Sequence, residues 1–107
     1  MLSTNNIYTT IGKYFVNAND IIRCEASSNY TKFYFANKQP LLIAKTLSAC
    51  ANAINDDTFI RIHQSHLINK NFIDTINADG FVFLKDGSVC NFSRRKKREA
   101  IQLICAI

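Results

Sequence analysis

The stretch Phe59-Ile60-Arg61-Ile62-His63-Gln64-Ser65-His66-Leu67-Ile68-Asn69 constrains the fold more tightly than any other part of the chain. Ile60 and Ile62 alternate with Arg61 and His63, so an extended backbone buries one side and sets a cation and an imidazole on the other. After Ser65 the alternation breaks. Leu67-Ile68 is followed by Asn69, Lys70 and Asn71, residue types that turn a chain and present donors. The expectation is a strand running into a donor-rich loop. A strand face of Arg, His and Ser is often only solvated, so its functional meaning has to come from the second half of the chain.

At 107 residues the chain makes one domain, residues 1–107, with polar residues 1–6 expected to be flexible. A domain of this size buries roughly two-thirds of its unfolded surface and holds a core without staples. The net charge of +5 is unevenly placed. Residues 1–60 carry 5 Lys/Arg against 4 Asp/Glu, and residues 61–107 carry 8 against 4. The basic half is therefore the functional suspect. Cys24, Cys50, Cys90 and Cys105 show none of the Cys-x-x-Cys spacing that metal and redox sites use. Together with the absence of a visible signal peptide, this points to a reduced, cytoplasmic chain with no metal and no cofactor. Apolar runs fall far short of a membrane span.

In chain order, residues 7–8 and 14–16 around Gly12 suggest a hairpin. Residues 21–26 and 30–36, rich in β-branched and aromatic side chains, read as strands joined by Ser27-Ser28-Asn29. On the second of these Thr31, Phe33 and Phe35 form a core face, and Lys32 and Tyr34 an open one. Residues 41–44 read as another strand. Leu47, Cys50, Ala51 and Ile54 have helical spacing, with Thr46 as N-cap and Asp56-Asp57 as terminator. Residues 72–76, 81–84 and 88–92 form a meander whose turns are marked by Asp79-Gly80 and Asp86-Gly87. Ser93 then caps a last helix with an apolar stripe at Ala100, Leu103, Ile104 and Ile107. The fold class is mostly β, α+β by count.

That last helix contains a local contradiction. Arg94, Arg95, Lys96, Lys97 and Arg98 fill its first turns, where the macrodipole is positive and each cation costs a few tenths of a kcal/mol or more. A phosphate backbone resolves it, because free amides, a Ser cap and clustered guanidinium groups together suit an anion. A solvated basic helix is the plainer alternative.

These residues carry a resemblance. Residues 21–26 with Asn29-Tyr30-Thr31, then Lys45-Thr46-Leu47, Phe59-x-Arg61-x-His63-x-Ser65-x-x-Ile68-Asn69, Leu84-x-Asp86-Gly87 and Ser93-Arg94-Arg95 resemble the LytTR family over residues 7–104. LytTR domains are DNA-binding output modules of bacterial response regulators. The resemblance implies an elongated arrangement of small, mainly antiparallel sheets with two short helices, whose loops rather than a recognition helix enter successive grooves of duplex DNA. It implies base reading by Asn29, Tyr30, Gln64 and Arg95. Phosphate contact or loop scaffolding falls to Lys32, Arg61, His63, Ser65, Asn69, Lys70, Ser93, Arg94, Lys96 and Lys97. It also implies binding to paired direct repeats as two molecules, and an upstream receiver or sensor that this chain lacks. His66 departs from the family's usual aromatic residue and is expected to pack with a ring.

Other readings compete. His63, His66 and Cys90 suggest an enzyme or metal site, but positions three apart on one strand point to opposite faces. Tyr30 and Tyr34 share a strand face on which single-stranded bases would stack. A protein-interaction module is the third alternative.

Overall fold

Short runs with side chains alternating in and out, punctuated by Gly, Asn and Asp, fold as successive antiparallel ribbons. The computed structural model describes residues 8–105. These form β1 (Tyr8–Ile11), β2 (Tyr14–Asn17), β3 (Ile21–Ser27), β4 (Tyr30–Phe35), β5 (Leu41–Ile43), α1 (Leu47–Ile54), β6 (Phe59–His63), β7 (His66–Asn69), β8 (Ile73–Ile76), β9 (Phe81–Leu84), β10 (Val89–Asn91) and α2 (Lys97–Cys105). Strand is 47% and helix 20%, so the fold is mostly β, as expected. The polar lead-in at residues 1–6 lies outside the described residues.

A five-stranded antiparallel sheet of order β5-β4-β3-β7-β6 is the frame. One face packs on α1 and the β1–β2 hairpin through Ile11, Val16, Cys24, Phe33, Leu47 and Cys50. The other packs on the β10-β9-β8 sheet through Ile22, Ile60, Ile62, Ile68, Val82 and Leu84. Ile21 and Cys24, three residues apart, share the first core because a bulge between Ile21 and Arg23 adds a residue to β3. The open face of β4 carries Lys32, while Thr31, Phe33 and Phe35 are buried on the other side, as the alternation predicts.

Three details correct the sequence reading. Residues 66–69 are not a loop: they form β7, an inner strand paired with both β3 and β6. Alternation fails there because both faces are covered, Leu67 entering the first core and Ile68 the second. Thr46 does cap α1, accepting from the Ala49 amide at 3.2 Å, but the helix stops at Asn55 in the left-handed region, before Asp56. Ser93 caps a turn rather than the helix proper. Its Oγ accepts from the Lys96 amide at 3.1 Å, and α2 begins at Lys97. The stripe expected at Ala100, Leu103, Ile104 and Ile107 falls on side chains outside the described residues, and Ile101 packs against the second core.

Candidate nucleic-acid interface

Antiparallel pairing decides which turns lie together. Glu25 faces His66 across β3 and β7, and the Ala26 amide donates to the Ser65 carbonyl at 2.9 Å. The β3–β4 turn (Ser28, Asn29) and the β6–β7 turn (Gln64, Ser65) therefore share one end of the central sheet. At two strand spacings they lie about 10 Å apart. The Ser93 amide donates to the Ile62 carbonyl at 2.8 Å, which fixes the following turn, Arg94 to Lys96, beside β6. Three turns thus line up along one rim.

The β6–β7 turn and the turn after Ser93 are held by side chains bonded to backbone groups, which leaves Gln64 and Arg95 outward. Arg61 braces the β6–β7 turn from inside: Nε donates to the His63 carbonyl at 3.1 Å, Nη2 to the Gln64 carbonyl at 2.6 Å and Nη1 to Ser48 Oγ at 3.4 Å. His63 Nδ1 accepts from the Ser65 amide at 3.0 Å, which leaves Nε2 as the outward donor. Gln64 is exposed, its amide free of the brace that holds its carbonyl. Asn29 is exposed beside Ser28, which takes φ 58, and Tyr30 is 46% exposed.

The basic run divides between two faces. Arg95 and Lys96 join His63, Gln64 and Ser93 around a depression of about 250 Å³. Arg94, Lys97 and Arg98 line a different depression with Ile101 and Gln102. Lys97 is drawn further away, its Nζ donating to the Ala78 carbonyl at 3.1 Å and its stem lying 3.4 Å from where a Cβ on Gly80 would be. Arg94 and Lys97, expected with Lys96 at the phosphate backbone, line this second depression and not the one around Arg95 and Lys96.

Two further expectations change. Asn69 is 1% exposed, its Nδ2 donating to the Ile21 carbonyl at 2.9 Å and its Oδ1 accepting from the Asn71 amide at 2.9 Å. It is scaffold that ties β7 to β3, and its burial keeps it from a phosphate. Lys70 follows β7 at the end away from Gln64, about 13 Å or more along the strand. Lys32 stays exposed on β4 with its ammonium 5.3 Å from the Tyr34 ring. The Arg23 guanidinium lies 3.9 Å over Tyr34, so the shared Tyr30 and Tyr34 stacking platform is interrupted.

A polar cluster that the sequence did not reveal lies beneath the rim. Arg23 pairs with Glu25 at 3.0 Å, and Tyr34 donates to the same carboxylate at 3.3 Å. Burial works against the Glu25 charge, but the Arg23 bond outweighs it together with the other contacts and holds the carboxyl below its ordinary range. His66 stands across from Glu25, its ring 5.3 Å from that of His63, and its buried Nδ1 has no hydrogen-bond partner among the described residues. Burial keeps the His66 imidazole below its usual value, against the pull of Glu25. The two histidines are cross-strand partners, because a turn separates them. Three residues apart on one strand was the wrong geometry for this pair. Even so, no group of three potential metal ligands occurs among the described residues. Cys24, Cys50 and Cys90 are buried and free, and burial pushes each thiol up, away from the reactive thiolate. No helix among the described residues is long and apolar enough to cross a membrane.

Amide, guanidinium and ammonium groups along one rim of a basic β domain suit an extended anionic surface. The family model of the LytTr DNA-binding domain matches residues 12–104, and the chain belongs to that family. The solved LytTr DNA-binding domain of a response regulator from Bacillus cereus has the same fold, with a TM-score of 0.74 at 16% identity over 98% of this chain and 100% of that one. No curated protein matches the chain.

Proposed function

We propose that this domain binds duplex DNA at particular sequences and acts in transcriptional control, as the output module of a bacterial two-component response regulator. Family membership supports the DNA partner. One observation carries the finer reading: Gln64 and Arg95, far apart in sequence, line the same depression. A carboxamide and a planar guanidinium are the side chains that pair bidentately with adenine and guanine edges in the major groove. Lys96, Ser93 and the His63 Nε2 donor surround them with groups suited to phosphate oxygens. The Asn29 turn, about 10 Å along the rim, lies about three base pairs away at 3.4 Å per pair. Arg61 holds the β6–β7 turn in place. Two copies bind side by side on paired direct repeats.

Selection from a random duplex pool tests this reading, followed by titration of the selected duplex, its single strands and unrelated duplex. The expected result is an enriched motif bound 10³-fold or more tighter than unrelated sequence, and two molecules per paired site. Equal affinity for the selected duplex and its separated strands would defeat it.

A further inference from the structure

The rim does not end at the Asn29 turn. Beyond it, on the β5 side, Lys13, Tyr14, Tyr30 and Lys45 surround a depression of about 520 Å³, and no carboxylate is among its lining residues. Its floor is fixed. Thr31, fully buried, donates its hydroxyl to the Lys45 carbonyl at 2.8 Å, while the Lys45 amide donates to the Ile43 carbonyl at 2.8 Å. A buried hydroxyl spent on the backbone of an exposed lysine sets the direction in which that lysine leaves the sheet. Gly12, at φ +62, makes the β1–β2 turn, and the Lys45 stem lies in ordinary contact range of it, 3.8 Å from where a Cβ would be. Lys13 follows directly. Tyr30 belongs to this depression and is the neighbour of Asn29, so the two basic zones are continuous along the rim.

We infer that Lys13 and Lys45, beside Tyr30, form a fourth duplex-contacting element that holds backbone phosphates on the side of the Asn29 turn opposite Arg95. The inference rests on the duplex-binding reading given above. Lys45 leaves the end of β5 and Ser93 docks on β6, the two edges of the sheet, so the contacts extend over about 19 Å, or about six base pairs. An ammonium on a flexible stem gives charge without a fixed fork, so this element adds affinity and footprint and reads no base.

The test compares the wild-type domain with Lys13→Gln/Lys45→Gln and with Lys13→Arg/Lys45→Arg, by salt titration and by hydroxyl-radical footprinting on the selected duplex. Thermal unfolding checks that each variant folds. Loss of two phosphate contacts makes the slope of log K against log salt shallower by about 1.8. Protection should disappear at the end of the footprint away from Arg95, the preferred sequence should not change, and the Arg pair should restore both. A Gln pair with wild-type slope and footprint overturns the inference and leaves the duplex reading intact. A wild-type domain that protects no duplex overturns the duplex reading itself.

Discussion

Two amide side chains five residues apart illustrate how position sets role. Asn69 spends both ends of its carboxamide inside the protein, whereas Gln64 faces outward from a turn. Asn69→Ala leaves the buried Ile21 carbonyl without its donor and should cost about 2–3 kcal/mol in urea unfolding. Gln64→Ala should change stability by about 0.5 kcal/mol or less and weaken binding to the selected duplex. Arg95→Ala should lose about 1–3 kcal/mol on that duplex, much less on unrelated DNA, and relax preference at one base pair. Arg95→Lys keeps the charge and should still lose the preference. An equal loss on every duplex would make Arg95 a phosphate clamp. His66 gives a pH signature. Its imidazole is held low in the folded chain, chiefly by burial, with His63 and Arg23 adding to that and Glu25 opposing. The unfolded chain therefore binds a proton that the folded chain does not, and stability should fall as pH drops below about 6.5 and level off below the folded value. Unfolding of wild type and His66→Phe between pH 5 and 8, above the carboxylate range, isolates this, and the variant should show the flatter profile.

Among the elements, those legible in the sequence were the ones with a single covered face. Alternation in β4 and β6, helical spacing in α1 and the Asp-Gly turns of the β8–β10 meander were all readable from local pattern. β7 was not, because a strand sandwiched between two cores has no polar face to alternate with. Its closing residue, Asn69, looked like turn chemistry and proved to be a buried tie. The surface of the candidate site was legible in outline. Gln64, Arg95 and Asn29 are exposed on one rim, but nothing local in the sequence shows that Arg94 and Lys97 face away from Arg95, or that the Arg23–Glu25–Tyr34 cluster exists. The cluster depends on strand order, which sets β3 between β4 and β7 and so brings residues 23, 25, 34 and 66 together. Core packing at β6 follows from the same order. Ile62 is fully buried between the sheets, whereas Phe59 is only half-buried against the first core. Ile62→Ala should cost about 2–5 kcal/mol, and Phe59→Ala should fall at or below the lower end of the 3–5 kcal/mol seen for fully buried Phe. A larger loss at Phe59 than at Ile62 would mean that the register of β6 is wrong.

On the scale of the whole molecule, a net charge of +5 favours an anionic partner, and what distinguishes the lysines is where the slab carries them. Its extents of 39 × 37 × 23 Å allow the long edge to span about one helical turn of duplex, 34–36 Å. Lys96 stands on the rim beside Gln64, and Lys70 at the other end of β7, beyond a Debye length of about 10 Å at 0.1 M salt. The two lysines are equal in charge, so their replacement changes net charge and long-range steering equally. Equilibrium contacts separate them. Lys96→Gln removes a phosphate contact and should make the slope of log K against log salt shallower by about one unit, on selected and unrelated duplex alike. Lys70→Gln removes no phosphate contact and should change that slope by much less than one unit, with a small loss of association rate at low salt that fades as salt is added. Titrations of both variants from 50 to 200 mM salt, with stopped-flow association at each step, provide the check. A unit loss of slope at Lys70 would place the duplex across the sheet rather than along its rim.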